Sequence, residues 1–220
     1  MAEAVLHYIY DPLCGWCYGA APLVEAARSV PGLRLALHGG GMMSGNNRRP
    51  ITPDWRNYVL PHDARIAQMT GQPFGDGYRD GLLNDLGAML DSSPPITAIL
   101  AAEAVEGQGA TMLHAVQHAH YVDGLRIAEL PVLLALAQQL GLDGAAFEAR
   151  YAELAGEATA RHIADSRALL VQVRGQGFPT FVLDDGSRQL RQIDAGSYLG
   201  QPGKLVAMLG SRCDASGCSL

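Results

Sequence analysis

Strand-forming runs occur only at the two ends of this 220-residue chain. Residues 5–10 are rich in β-formers and are halted by Asp11-Pro12, a strand with a breaker behind it. Over 17–30 the apolar residues Ala20, Leu23, Val24, Ala27 and Val30 recur at helical spacing, and Pro31-Gly32 ends that helix. Leu33, Leu35 and Leu37 then alternate with Arg34, Ala36 and His38, which predicts a second strand. At the far end 180–183 reads as a strand, Asp184-Asp185-Gly186 as a hairpin turn and 188–193 as the returning strand. A closing helix is predicted over 197–209, with Pro202-Gly203 able to break it. Between 52 and 174 almost no strand pattern remains. Segments 54–70, 97–105, 111–122, 131–140, 145–154 and 157–173 read as helices. The fold class is therefore α/β: β-α-β and β-β-α ends build one sheet, and a helical block leaves that sheet and returns to it. No repeat of fixed length runs through the block.

Apolar residues make up 48% of the chain, enough for a substantial core. The formal charge is -6 and the only adjacent basic pair is Arg48-Arg49, so nucleic acid is not an expected partner. Met1-Ala2-Glu3-Ala4 has no basic n-region and no cleavage site, and no window approaches the ~18 uninterrupted apolar residues of a membrane span. The expectation is a cytoplasmic protein with no membrane partner. In that reducing compartment a permanent disulfide is disfavoured, and paired cysteines point to catalysis or metal binding.

Cys14 and Cys17 are two of four cysteines, and they stand at the first strand-to-helix turn as Cys14-Gly15-Trp16-Cys17. One helical turn separates them, which puts their Cα atoms about 5 Å apart, within disulfide range. Cys14 is expected to be exposed at the helix N-terminus, where free N–H groups favour a thiolate, and Cys17 to lie shielded beneath it. Cys14 then attacks and Cys17 resolves the mixed disulfide. Gly15-Trp16 adds no cation to strengthen the thiolate. The rival reading is half a zinc site, completed by Cys213 and Cys218. Zinc knuckles usually sit in tight turns between short strands rather than at the mouth of an apolar helix, and no metal is expected.

Gly177-Phe178-Pro179-Thr180 opens the strand that should pair beside the first. A cis bond before Pro179 would turn the Phe178 backbone toward the thiols, free to pair with an extended substrate. Gly39-Gly40-Gly41 lacks a following Gly-Lys-Ser/Thr, so we read it as a flexible exit from the sheet rather than a phosphate loop.

The strand-Cys14-Gly15-Trp16-Cys17-helix opening, the long helical insertion and Gly177-Phe178-Pro179-Thr180 resemble the DsbA family of thioredoxin-fold oxidoreductases. Within it the chain is most similar to the cytoplasmic FrnE-like branch, a likeness extended by Tyr121-Val122-Asp123-Gly124 and Leu140-Gly141-Leu142-Asp143. The resemblance implies a thioredoxin-fold domain from 1–42 and 176–210, a helical insertion domain over 43–175 and a tail over 211–220. It implies thiol–disulfide exchange or isomerisation with Cys14 as nucleophile, Cys17 as resolving thiol and Pro179 as cis-proline. Trp16, Phe178 and Thr180 would contact the substrate. No cofactor is implied beyond the dithiol, and glutathione is admissible as reductant. Partners would be thiol- or disulfide-containing proteins or small thiols, and a dimer is compatible with the sequence. The chain departs from the periplasmic oxidases in its Gly-Trp insert and in lacking an evident leader.

Two other function classes stay open. Kappa-class glutathione transferases and 2-hydroxychromene-2-carboxylate isomerases resemble the same fold with a similar insertion, but they lack an obligatory resolving thiol. A zinc-binding interaction module is the third class. His114, His118 and His120 lie on one helix, but His114 lacks the following glutamate of a metalloprotease motif. We read them, and His7 and His38, as structural, and Trp55 and Phe74 as packing residues. Cys213 and Cys218 form a second spaced pair on a small, polar tail. They are a candidate second redox couple.

Overall fold

In the computed structural model the described residues are 4–187 and 189–211, with the backbone of 213–214 and 217–218. The chain runs β1 (Ala4–Tyr10), α1 (Gly15–Gly19), α2 (Ala21–Arg28), β2 (Leu33–Gly39), β3 (Arg49–Pro50) and α3 (Pro53–Thr70). A π-helical turn at Gly77–Gly81 and β4 (Met89–Leu90) precede α4 (Ser93–Glu106), α5 (Gly109–Tyr121), α6 (Leu130–Gln139), α7 (Gly144–Leu154) and α8 (Glu157–Gln172). The chain then returns through β5 (Thr180–Asp184), β6 (Leu190–Ile193), α9 (Pro202–Gly210), β7 (Cys213–Asp214) and β8 (Gly217–Cys218).

The main sheet has strand order β2-β1-β5-β6. β1 is parallel to β2 and antiparallel to β5, with Tyr8 opposite Leu37 on one side and Phe181 on the other. Its place inside the sheet explains its sequence: Leu6, Tyr8, Ile9 and Tyr10 are all buried, where polar residues would have no partners. Tyr8 stacks on Phe181 with ring centroids 4.6 Å apart. The strand ends at Tyr10, so the C-x-x-C turn stands at the carboxyl edge of a rigid central strand.

The helical segments read from the sequence are present, each within a few residues of its expected bounds. Thr52 caps α3, its Oγ1 accepting from Trp55 N–H at 3.1 Å with Pro53 behind it. Asp143 caps α7 in the same way. Three expectations need correction. The single helix over 17–30 is two helices broken at Ala20, because Pro22 has no N–H to continue the ladder. The closing helix begins at Pro202 rather than near 197, since proline suits the first helical position. Two-residue strands β3 and β4 pair inside the helical block, too short to leave a pattern in the sequence.

The tail is described only as a backbone ribbon in which Cys213 stands opposite Cys218. The side chains of both lie outside the described residues, as does the question of their redox activity. Among the described residues no helix is long and apolar enough to cross a membrane.

Candidate active site

Cys14 caps α1 with extended backbone angles, and its Sγ accepts the Cys17 N–H at 3.4 Å. On its other side Sγ stands 3.5 Å from the Phe178 carbonyl oxygen, a contact between residues 164 positions apart. The Phe178–Pro179 peptide bond is cis. Cys14, Cys17, Phe178 and Pro179 are thus brought together.

The two thiols, both free, differ in access. Cys17 is 0% exposed, and burial, followed by its hydrogen bond with Cys14, pushes its thiol well up from the usual range. Cys14 is 7% exposed, so the open thiol expected at a helix N-terminus is corrected to a nearly covered one. Its access is a pocket of about 670 Å³ between the C-x-x-C turn and the insertion helices. Trp16, Trp55, Tyr58 and Ile66 line this pocket. Trp55, expected to be a packing residue, does pack against the core and also forms part of the pocket wall, with the Arg49 guanidinium 5.5 Å from its ring.

Two of the expected substrate contacts stand elsewhere. Phe178 does not line the pocket; its ring lies against Gly40, where a Cβ would come within 2.1 Å of it. Thr180 is buried and its Oγ1 donates to the Gly177 carbonyl at 2.7 Å, so it braces the proline loop from within.

The glycine triplet is the clearest correction. Far from flexible, it is held on every side. Gly40 N–H bonds Tyr10 O at 2.7 Å, and Gly39 N–H bonds His162 Nε2 at 3.0 Å. Arg167 grips the Gly40 and Gly41 carbonyls together. Glycine is required here by close approach, not by mobility. Gly40→Ala is therefore expected to displace the Phe178 ring and, through its backbone, the carbonyl beside Cys14. We expect a loss of about 1–3 kcal/mol in stability and a several-fold drop in exchange rate. Denaturant unfolding and turnover assays check the two effects.

Asp11 is the main residue that the sequence reading passed over. It is fully buried and accepts from Leu13 N–H and Ser92 Oγ, each at 2.9 Å, and from Met42 N–H. Burial pushes its carboxyl up to about 6, against the pull of those hydrogen bonds. It ties the turn before Cys14 to the glycine triplet and to the start of α4. Its only signal in the sequence was Asp-Pro, which reads as a breaker.

The histidines divide. His7 and His38 meet ring to ring at 2.9 Å across β1 and β2, and His118 pairs with Asp123 at 3.1 Å. His120 is buried at the pocket wall. Among the described residues no group of three or more metal-ligating side chains is set to hold an ion.

Residues 5–197 match the family model described as the DSBA-like thioredoxin domain. The chain belongs to this family. It is 54% identical to the cytosolic disulfide reductase DsbM from Pseudomonas aeruginosa, over 94% of this chain and 97% of that one, with a TM-score of 0.89. A second structure of DsbM, with GSH, gives 53% identity over 94% and 98% of the two chains and a TM-score of 0.88. A putative protein disulfide isomerase from Nitrosomonas europaea is 25% identical over 94% and 97%, at a TM-score of 0.78. A 2-hydroxychromene-2-carboxylate isomerase, 17% identical over 94% and 96% with a TM-score of 0.59, shares the fold. A search of curated proteins found no match. With its C-x-x-C pair in contact, the chain is a thiol–disulfide oxidoreductase of the DsbA-like thioredoxin fold carrying a helical insertion.

Proposed function

We propose that the chain is a cytoplasmic disulfide reductase in which Cys14 attacks, Cys17 resolves and glutathione restores the dithiol. The observation that carries the assignment is the unequal access of two neighbouring free thiols: Cys14 opens on the pocket and Cys17 is sealed behind it. The direction and the reductant are supported by the likeness to DsbM, named a cytosolic disulfide reductase and solved with GSH.

The Cys14 thiolate, held by the Cys17 N–H, attacks one sulfur of a substrate disulfide. The substrate S–S bond breaks and one thiolate departs. Cys17 loses its proton and attacks Cys14 Sγ, which frees the second substrate thiol and leaves a Cys14–Cys17 disulfide. One glutathione thiolate then opens that disulfide and a second releases the product as oxidised glutathione. Two electrons pass throughout by thiol exchange, so the dithiol needs no bound cofactor. The Phe178 carbonyl offers an acceptor to an extended substrate backbone beside the reacting sulfur. A resolving thiol in contact with Cys14 favours this reading over a glutathione transferase or isomerase.

The test is the reduction potential of the Cys14–Cys17 couple, equilibrated against glutathione. A reductase should give about -220 mV or lower, with substrate turnover sustained by glutathione alone. A value near about -120 mV, the range of a strong oxidant, overturns the direction.

A further inference from the structure

The pocket before Cys14 carries polar groups that thiol exchange itself does not use. Asp63, on α3, is 5% exposed and lines the pocket. Its Oδ2 accepts from Tyr78 Oη at 3.0 Å. Its Oδ1 has no donor among the described residues and stands 3.2 Å from where a Cβ on Gly15 would lie. Asp63 therefore adjoins the C-x-x-C insert. Among the described residues it enters no ion pair.

His120, on α5, lines the same pocket at 5% exposure, and its Nδ1 is buried without a partner. Its ring lies 5.4 Å from that of Tyr78. Burial pushes Asp63 up to about 6 and His120 down to about 3. Near neutral pH the carboxylate is thus formed while the imidazole stays uncharged and supplies no counter-ion. Arg49 and His62 also line the pocket, and His62 offsets part of the cost of burying Asp63, but neither forms an ion pair with the carboxylate. A buried carboxylate without a paired cation costs free energy, as does a buried ring nitrogen without a partner. Both costs fall if a ligand brings a cationic donor.

Position decides which ligand that is. The Phe178 carbonyl takes one side of Cys14, and Phe178 does not line the pocket. A disulfide under attack has two halves, the sulfur that bonds Cys14 and the sulfur that departs. We propose that the pocket seats the departing thiol, and that Asp63 selects thiols bearing a protonated amine, the aminothiols to which cysteamine and cysteine belong. This rests on the exchange reading given above. In the step, Cys14 thiolate bonds the sulfur of the other half. The electron pair of the broken S–S bond leaves on the aminothiol sulfur, which takes a proton from water. Asp63 holds the ammonium group and is neither oxidised nor reduced.

The test compares two substrates that differ in one group, the mixed disulfides of glutathione with cysteamine and with 2-mercaptoethanol. Each kcat/KM is divided by the rate of the same disulfide with free dithiothreitol, which removes the difference between leaving thiols. The normalised ratio should favour cysteamine by about tenfold or more in the wild-type protein. It should fall to near one in Asp63→Asn, whatever loss the two substrates share. A second arm uses the reduced wild-type protein and two thioethers that cannot exchange, S-(2-aminoethyl)glutathione and S-(2-hydroxyethyl)glutathione. The amine should bind about tenfold more tightly by calorimetry. Equal binding of the thioethers, or a preference that survives Asp63→Asn, overturns the subsite. Tighter binding of the amine without turnover of either disulfide upholds the subsite and overturns the exchange reading instead.

Discussion

Cys14→Ser should lower disulfide reduction by at least about 10³-fold, to the level of the uncatalysed reaction. A serine hydroxyl at this position cannot form the sulfur–sulfur bond on which every later step depends. No other described thiol can stand in, because Cys17 is sealed from the pocket and held protonated by burial. Cys17→Ser should behave differently. Cys14 still attacks and still expels the first half of the substrate, but no thiol of the active site then releases the second half. Turnover should collapse while a covalent adduct accumulates on Cys14, visible by intact-mass spectrometry as the protein plus one substrate thiol. Reductant added to that adduct should free it in one step. Wild-type turnover in Cys14→Ser, or Cys17→Ser protein free of adduct after exposure to a substrate disulfide, would remove both roles at once.

The elements of this fold were legible because their signals are local. Apolar spacing marked each insertion helix, and alternation at Leu33, Leu35 and Leu37 marked the second strand. The C-x-x-C pair was legible for the same reason, since its chemistry lies within four residues. The pocket was not. Asp63 meets the thiol turn only because α3 packs across it, a contact between residues dozens of positions apart that leaves no spacing to read, and Tyr78 reaches the site through its bond to Asp63. Gly40 was misread because a glycine needed for close approach and one needed for mobility look alike in a sequence. Pro22 was the one local signal overlooked: it lies inside an apolar helical pattern and divides the helix.

Asp11→Ala should destabilise the protein by about 3–5 kcal/mol, because it strands Leu13 N–H, Met42 N–H and Ser92 Oγ together in the interior. Leu13 and Met42 line the pocket together with Cys14, so the variant should also lose activity well below its unfolding midpoint in denaturant. The sharper measurement uses Asp11→Asn, which keeps the shape and removes the titration. In the folded protein the Asp11 carboxyl is raised from 3.8 to about 6, mainly by burial. Between those two values the native state binds a proton that the unfolded chain does not, so stability from this group grows as pH falls. It is fully present below about 4 and lost as pH rises through about 6. Asp63, raised likewise to about 6, acts in the same direction. His7, His38, His120 and His162, all lowered by burial, act in the opposite one. The wild-type curve therefore mixes both, and the difference between wild type and Asp11→Asn isolates the one carboxyl. From pH 7.5 to 4.5 the wild type should gain about 2 kcal/mol relative to the variant. Urea denaturation at four or five pH values measures it. A difference that stays flat across this range would mean that Asp11 keeps an ordinary carboxylate affinity for its proton despite its burial. The three donors would then be stabilising a charge that costs the fold nothing.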